Sequence, residues 1–341
     1  MAEPIVEQQV TQEDFPRDRR GFWQPPGGTA PPSPLYSWPP RPLAVLKWLY
    51  RYLFPWNLIY MSIATVTWVY WQPALSRCVT FQWDWMLEMF VRNEIMLVVI
   101  TSAWHIRLWS QKNQGMSYKF TADWMAVGNR KFLGGSQLGE NVLWTLVSGV
   151  TWTGYEIVMM WAYANDMLPY VDPRQEPIYF GIVLCSIAMW RQLHFYWAHR
   201  ITHWPPLYKL AHYLHHKNIN IGPWSGLSMH PVEHVIYFSC ILLHWVLPSH
   251  PIHVLMNAQH AAFAPSQGHV GFEKLALPGK ISVGAGNYFH QLHHRYFECN
   301  YGSPDVPFDK WFGSQHDGSS EAHAVMREKR KSIHRITAET D

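Results

Sequence analysis

Three short clusters of histidines constrain this chain more strongly than any other feature. They are His199-Arg-Ile-Thr-His203, His212-Tyr-Leu-His215-His216 and His290-Gln-Leu-His293-His294. Residues three and four apart share one face of a helix, so we expect each cluster to direct its imidazoles toward a common point. Eight imidazoles on three helical faces suit two metal ions better than one. Imidazole-rich coordination favours iron, zinc, copper or nickel over magnesium and calcium.

The composition indicates a membrane protein. The 341 residues include 20 Trp and 20 His, but only 15% of them are charged. Few charges are therefore left to cover a soluble surface, whereas aromatic residues are available for membrane interfaces. A net charge of +3 argues against a nucleic-acid partner. The cysteines are scattered, which predicts unpaired thiols in a reducing or membrane setting.

Four apolar stretches are near the length needed to cross a bilayer. They are Asn57 to Trp71, Ile95 to Trp109, Val142 to Tyr163 and Ile178 to Trp197. Lys and Arg residues are concentrated before the first stretch and between the second and the third, and the other two loops are poorer in them. The positive-inside rule then predicts that the N-terminus, the second loop and everything after Trp197 lie on the cytoplasmic side.

A further apolar run, Val235 to Leu247, is followed by Pro248, Pro251 and a stretch that reaches Ala264. Because the last histidine cluster must return to the same side as the first two, we expect a re-entrant helical hairpin in this region. The predicted fold is an all-α integral membrane protein with about four transmembrane helices, this hairpin and a cytoplasmic helical cap that carries the histidine boxes. The membrane setting narrows the choice of metal toward iron.

Glu156 lies within the third apolar stretch, where an unpaired carboxylate is costly. Two interpretations are open. The carboxylate lines a path for a substrate or proton, or it pairs with a neighbouring helix.

The two ends of the chain differ from its middle. Residues 1–42 are rich in proline and are expected to form a disordered or surface-draped arm, because they cannot bury enough apolar surface to offset ordering. Residues 43–316 are expected to form a membrane domain that carries the histidine clusters, and residues 317–341 a polar tail. The first forty residues lack the apolar core of a cleavable signal peptide. The final Thr-Ala-Glu-Thr-Asp does not resemble an ER-retrieval signal, which favours a bacterial inner membrane.

Five ordered motifs around the clusters resemble the fatty acid hydroxylase and sterol desaturase superfamily of histidine-box membrane enzymes. The motifs are HRxxH at His199 to His203, HxxHH at His212 to His216, HPxE at His230 to Glu233, HxGF with a following acid at His269 to Glu273, and HxxHH at His290 to His294. Asn300-Tyr301-Gly302 and the segment Phe308 to Ser314 resemble the closing elements of that family. The resemblance covers roughly residues 180–316.

The resemblance implies a di-iron site and O2 as a co-substrate, with zinc able to replace iron during purification. The implied metal ligands are His199, His203, His212, His215, His216, His269, His290, His293 and His294. His269 rests on the resemblance alone, whereas the spacing of the other residues predicts them independently. Residues 43–316 would then be a membrane di-iron oxygenase domain. The implied reaction is hydroxylation, which is monooxygenase chemistry, or desaturation at an unactivated C–H bond in a lipid or sterol-like substrate.

Several polar residues near the motifs have less certain roles. His230 and His234 are interpreted either as metal ligands or as partners that, with Glu233, orient a ligand imidazole. Glu233 is the residue to which we assign a catalytic role. His194 lies five residues before His199, which rotates it about 140° away on a helix, so we expect it to pack or form a hydrogen bond instead. The remaining histidines are expected not to bind metal.

Each turnover of such an enzyme needs two electrons from outside. Some members of the superfamily carry a fused cytochrome b5 domain with a His-Pro-Gly-Gly motif, but here the nearest string, Pro25-Pro26-Gly27-Gly28, lacks the histidine. The expected donor is a separate cytochrome b5, ferredoxin or flavin reductase that docks on the cytoplasmic face. Lys209 and Lys217 are candidates for that face.

Two other classes of protein remain as alternatives. A histidine-rich membrane metal transporter would place its ligands near the middle of the bilayer, whereas these clusters follow the fourth apolar stretch. A zinc-dependent membrane hydrolase needs only three protein ligands and a water, and its HExxH motif does not occur here. The substrate is left open among a sterol, a long-chain acyl lipid and a smaller amphiphile.

Overall fold

The chain folds mostly into helices, and each of the apolar stretches is helical. The computed structural model describes residues 16–25, 28–29 and 33–329. In this part of the chain the α-helices are α1 (Pro42–Leu53), α2 (Trp56–Val66), α3 (Trp83–His105), α4 (Gln137–Ala164), α5 (Pro177–Thr202), α6 (Pro205–Leu207), α7 (Tyr213–His216), α8 (Pro231–Phe238), α9 (Pro251–Gly268), α10 (Tyr288–Tyr296) and α11 (Phe308–Trp311). Two short antiparallel strands, β1 (Lys274–Ala276) and β2 (Ser282–Gly284), precede α10.

Wider helical turns extend several of these helices. α2 continues as the π-helical turn Thr67–Trp71, and α3 continues as Ile106–Ser110. A third π-helical turn, Tyr208–His212, joins α6 to α7 and carries the first histidine of the second cluster. Such turns occur often at functional sites. The second histidine box therefore lies on a helix whose pitch changes within the box.

Local sequence explains where the helices that carry the site begin. α5, α8 and α9 each begin with a proline, whose fixed φ suits the first helical position and whose missing N–H would have no partner there. α10 has a side-chain cap, because the side-chain amide oxygen (Oδ1) of Asn287 accepts a hydrogen bond from the backbone N–H of His290 at 3.3 Å. These signals set the starts of four helices that contribute histidines or line the site.

α9 is the central helix of the bundle. It packs against α2, α3, α4 and α5, and most of its side chains are buried. Ala258, Ala261 and Ala262 are fully inaccessible to solvent, and such small residues allow neighbouring helices to approach closely. The chain reverses direction between the 3₁₀ helix Ser239–Trp245 and Pro251, where the hairpin was expected. Whether this hairpin enters a membrane stays a prediction.

Glu156 pairs with a neighbouring helix, which was one of its two interpretations. Its carboxylate forms a buried ion pair with Arg92 of α3. The same carboxylate accepts a hydrogen bond from the Asn93 side chain at 3.0 Å, and Asn93 also donates to Thr153 at 3.1 Å. This network gives the buried Glu156 carboxylate two donors from α3.

The four-span topology is not established by the structure. Among the described helices, only α5 is both long enough and apolar enough to cross a membrane. α3 and α4 are also long, but they carry the buried charges of Arg92 and Glu156. Large apolar side chains are nevertheless exposed on the outer faces of these helices, including Val99, Val150 and Ile178 at 58% or more. An apolar exterior of this kind suits contact with lipid.

Part of the N-terminal segment packs against the body of the protein. Trp23 is 3% exposed and stacks on Phe120, and its backbone N–H donates to the Phe120 carbonyl oxygen at 2.8 Å. Asp18 pairs with Arg295 of α10 at 2.6 Å. These contacts fit a surface-draped arm, one of the two expectations for residues 1–42, because one large aromatic side chain buries enough surface to hold this part of the segment. Residues 1–15 and 330–341 lie outside the described residues, so the domain boundaries stay a prediction.

The topology leads to a labelling experiment. In a Cys185→Ser background, which removes an exposed thiol, we expect Ser320→Cys to be shielded from a membrane-impermeant maleimide in intact bacterial cells that express the protein. Arg174→Cys should be labelled in the same cells, since Lys and Arg bias puts its loop on the outer side. Both side chains replaced are exposed. Labelling of Ser320→Cys after permeabilisation is the control, and the reverse pattern would contradict the predicted orientation.

Candidate metal centre

Nine buried or half-buried histidines converge into two groups. We call them the five-histidine group (His199, His203, His212, His216 and His293) and the four-histidine group (His215, His269, His290 and His294). Within each group the candidate ligand nitrogens all lie within 4.8 Å of one another. The members are the nine residues that the sequence motifs nominated. His269, isolated in the sequence at the end of α9, is brought into the second group by the fold.

The second and third boxes each divide between the two groups, so the expectation of one common point per cluster is wrong for them. On α7 and the turn before it, His212 and His216 face the five-histidine group, whereas His215 faces the other. On α10 the arrangement is reversed, because only His293 joins the five-histidine group. Helical geometry gives the reason: positions i and i+4 lie about 40° apart, but i+3 and i+4 lie about 100° apart.

The spacing of the nitrogens fits metal coordination. In the five-histidine group, the Nε2 atoms of His203 and His212 are 3.0 Å apart, and those of His216 and His293 are also 3.0 Å apart. In the four-histidine group, Nε2 of His294 lies 3.1 Å from Nε2 of both His269 and His290. Two nitrogens bound to one ion at about 2.1 Å with an angle near 90° would be about 3.0 Å apart.

Hydrogen bonds on the opposite ring nitrogen fix the tautomers. His199 Nδ1 donates to the Tyr301 carbonyl oxygen at 2.6 Å, and His293 Nδ1 donates to that of Cys299 at 2.6 Å. His269 Nδ1 donates to the Pro265 carbonyl oxygen at 2.9 Å. Because a carbonyl can only accept, each of these Nδ1 atoms carries the proton, and Nε2 of a neutral ring presents a lone pair. Converging lone pairs without protons between them suit a bound cation.

The electrostatic environment keeps the rings neutral. Burial, together with the neighbouring His212, holds the pKa of His216 well below its usual range. Burial and the neighbouring His215 do the same to the pKa of His294. A neutral imidazole is the form that binds a metal ion. Nearby, burial raises the pKa of Glu273 to about 7, and its carboxyl oxygen accepts the backbone N–H of Tyr288 at the start of α10.

A tight loop after α10 supplies the two carbonyls that hold His199 and His293. Phe297 and Asn300 adopt positive φ values of 69° and 55°, which turn the chain back over its own helix. The Asp309 carboxylate accepts the backbone N–H groups of Tyr301 and Gly302 at 2.9 and 2.8 Å. Sequence reasoning noticed these closing elements only as part of the family resemblance. It did not find the carbonyls, because a backbone oxygen leaves no residue-specific signal.

Glu233 lies beside the five-histidine group. Its Oε1 accepts a hydrogen bond from Nδ1 of His212 at 2.6 Å, and both side chains are buried. This contact fixes the ring of His212 and directs its Nε2 toward the group, so Glu233 is a positioning residue in this geometry. His230 and His234 lie outside both groups. His230 caps the start of α8, and His234 lies 3.1 Å from the Leu227 carbonyl oxygen.

Other histidines have partners of their own. His194 Nε2 lies 2.9 Å from the Ser239 hydroxyl and takes no part in either group, as its helical phase indicated. His244 contacts Ser249 and Asn257, and His253 contacts the Phe180 carbonyl oxygen. His323 contacts the Tyr296 hydroxyl at 2.8 Å. Each has a role in packing or hydrogen bonding.

An apolar cavity of about 160 Å³ lies against both groups. Imidazoles from both groups form part of its wall, namely His199, His212, His215, His269 and His290. Apolar side chains of α5, α8 and α9 and of the loop before α8 form much of the remainder, including Phe195, Met229, Ile236 and Ala264. A separate pocket of about 390 Å³ contacts the five-histidine group through His203 and is lined by Tyr208, Lys209 and Tyr301. The cavity of about 160 Å³ offers a mostly apolar space beside the imidazoles for an apolar molecule.

Part of the chain matches a known protein family. Residues 184–314 match the model of the fatty acid hydroxylase family. The chain is 28% identical over 168 residues to a Delta(7)-sterol 5(6)-desaturase of Gibberella zeae, covering 41% of this chain and 46% of that protein. It is 32% identical over 120 residues to the Delta(7)-sterol 5(6)-desaturase of Saccharomyces cerevisiae, covering 35% and 32%. A Delta(7)-sterol-C5(6)-desaturase of Nicotiana tabacum is 29% identical over 133 residues, covering 36% and 45%.

The matched region spans between about a third and a half of these relatives. No solved structure matches the chain. Residues 184–314, which match the family model, include every histidine of the two groups and the loop after α10 that holds His199 and His293. The resemblance indicated by the sequence motifs is confirmed.

A comparison of three variants tests the membership of the two groups. We expect His269→Gln and His215→Ala to lose metal, because each removes a nitrogen from the four-histidine group. His194→Gln should retain metal, because its ring contacts Ser239 instead. The measurement is iron content after anaerobic reconstitution with ferrous iron. Loss of iron from His194→Gln together with full loading of His269→Gln would contradict the assignment.

The contact between Glu233 and His212 predicts an effect on metal affinity. Glu233→Gln replaces an ionised acceptor by a neutral amide and weakens the hold on the His212 ring. Metal affinity should fall by roughly 10- to 100-fold, measured by competition with a chelator. Glu88→Gln, an exposed change of the same chemistry, is the control. Equal metal affinities of the Glu233→Gln and Glu88→Gln variants would show that Glu233 does not contribute to metal binding.

Proposed function

We propose that this chain is a membrane non-haem di-iron oxygenase, because residues 184–314 match the fatty acid hydroxylase family and its motifs resemble the fatty acid hydroxylase and sterol desaturase superfamily. Its substrate would be a lipid or sterol-like molecule, oxidised at an unactivated C–H bond by hydroxylation or desaturation. The observation that carries the proposal is the convergence of nine imidazoles into two groups beside one apolar cavity.

The five-histidine group would hold one iron and the four-histidine group the other. Bound iron would supply the redox chemistry that protein side chains lack, namely the reduction of O2 coupled to cleavage of a C–H bond. In hydroxylation, one oxygen atom enters the substrate and the other leaves as water, with two electrons and two protons from a donor. In desaturation, the two hydrogens removed from the substrate, two electrons and two further protons convert O2 into two waters.

The protein's own residues would orient and shield the reaction. The carbonyl oxygens of Cys299 and Tyr301 and the Glu233 carboxylate fix three imidazoles of the five-histidine group. Phe195 stacks on the His199 ring with centroids 4.9 Å apart, and apolar neighbours continue this wall into the cavity. These contacts keep water away from the bound substrate and limit the motion of the ligands.

The proposal includes the membrane and the partner. Exposed apolar side chains on α3, α4 and α5 support an integral membrane protein. The proposed place of the histidine groups at its cytoplasmic side rests on the Lys and Arg bias of the loops. The relatives named above come from fungi and a plant, which favours an ER-type membrane, and the bacterial inner membrane finds no support. Electrons would come from a separate cytochrome b5, ferredoxin or flavin reductase.

The geometry favours an oxygenase over the two alternative classes. A hydrolytic zinc centre usually has three protein ligands and a water, whereas four and five imidazoles converge here. A metal transporter needs a path along which ions move, but backbone carbonyls hold members of both groups and Glu233 holds His212 of the five-histidine group. Zinc bound on purification would not decide the matter, because imidazole ligands accept both metals.

Oxygen consumption provides the direct test. The wild-type protein, loaded with about two irons per chain, should consume O2 in proportion to oxidised lipid when a reductase, an electron donor and a lipid extract are supplied. His293→Ala should abolish both signals, since it removes a nitrogen from the five-histidine group. His194→Gln is the matched control and should retain them. Full activity of His293→Ala, or activity of the zinc-loaded wild type without O2, would contradict the proposal.

A further inference from the structure

The cavity beside the histidine groups is elongated along two helices. On α5 it is lined by Arg191, Phe195, Ala198, His199 and Thr202, which share one helical face. Arg191 precedes His199 by eight residues, which places their backbones about 12 Å apart along the helix axis. The cavity therefore has an end at the histidines and a far end at Arg191.

The helix α9 also runs between the two ends of the cavity. It lines the cavity with His260, Ala264, Pro265 and Gly268, and His269 follows directly. Nine residues separate His260 from His269, a rise of about 13 Å on a helix. Two nitrogen-bearing side chains, those of Arg191 and His260, thus line the cavity at the end that is remote from the candidate metal ligands.

Arg191 is buried without a carboxylate partner. Arg191 is 4% exposed. Its guanidinium donates hydrogen bonds to the Tyr237 hydroxyl at 2.5 Å and to the Cys240 sulfur at 2.7 Å. Tyr237 in turn donates its own proton to the Ala261 carbonyl oxygen at 3.0 Å, so it is a neutral acceptor. Among the ion pairs of the described residues, none involves Arg191.

A comparison with another buried arginine shows what is missing. Arg92 is also buried between helices, and its charge is met by the carboxylate of Glu156. At Arg191 the guanidinium Nε has no hydrogen-bond partner, and neither does Nδ1 of His260. A buried cation without an anion is costly, and buried N–H groups without acceptors add to that cost. Both unused nitrogens belong to residues that line the cavity.

We propose that the far end of the cavity binds the carboxylate of an acidic amphiphile, with Arg191 as the anchor and His260 as a second donor. The inference rests on the proposed oxygenase function and narrows its substrate class. A carboxylate there would neutralise Arg191 and would hold a carbon remote from the carboxyl group against the two histidine groups. A neutral sterol or alcohol would leave the guanidinium without its counter-charge.

Binding measurements on the metal-loaded, full-length protein in detergent test this assignment without requiring turnover. We expect palmitate to bind more tightly than hexadecanol, methyl palmitate or cholesterol. Arg191→Gln should weaken palmitate binding by roughly 10- to 100-fold, as expected when a charged hydrogen-bonding partner is removed. It should leave hexadecanol binding unchanged. Arg174→Gln, the same change at an exposed position, should alter neither, and metal content and melting temperature would establish that the variants fold.

Two results would overturn the assignment. One is equal binding of palmitate by the wild type and Arg191→Gln. The other is a wild type that binds methyl palmitate or hexadecanol as tightly as palmitate, which requires no variant and decides the matter even if Arg191→Gln does not fold. Failure of the oxygenase proposal would give a different result. The protein would still bind palmitate in a way that depends on Arg191, but it would consume no O2 with any lipid.

Discussion

The arrangement of the candidate centre depends on the proton at Nδ1 of its histidines. Where a carbonyl or carboxylate oxygen accepts a hydrogen bond from Nδ1–H, the opposite nitrogen is left with a lone pair directed at its neighbours. This is the case at His199, His212, His269 and His293. Lone pairs 3.0 to 3.2 Å apart repel one another unless a cation or a proton lies between them. The fold holds them together because the acceptors are fixed by backbone, by Asp309 and by α8.

This requirement explains the polar architecture inside an otherwise apolar bundle. The loop after α10 adopts two positive-φ residues and buries Asn300, whose amide contacts the carbonyl oxygens of Phe289 and His316. These contacts cost conformational freedom and gain only modest net energy each. Their effect is to place two carbonyl oxygens within 2.6 Å of histidine ring nitrogens. Local irregularity is concentrated where the imidazoles must be aimed.

The central position of α9 connects the candidate centre to the substrate cavity. One face of the helix is buried against α4 and α5, and its last turn delivers the Pro265 carbonyl oxygen and His269 to the four-histidine group. Pro265, which lies inside this helix, also lines the cavity. A single rigid element therefore carries His260 at the far end of the cavity and His269 at the other. The distance between a bound head group and the reacting carbon would follow from the helical rise.

The sequence by itself determined the helical class, the nine candidate histidines and the family. Spacings of three and four residues predicted the helical faces of the boxes, and the phase of His194 excluded it correctly from both groups. Tertiary structure alone decided how the boxes divide, since His215 and His216 are neighbours in the chain but face different groups. It also decided that Tyr301 and Cys299 act through their carbonyls, and that Arg191 and His260 line the same cavity. Periodicity reports which residues share a face of one helix, whereas the distances between residues far apart in the chain exist only after the helices pack.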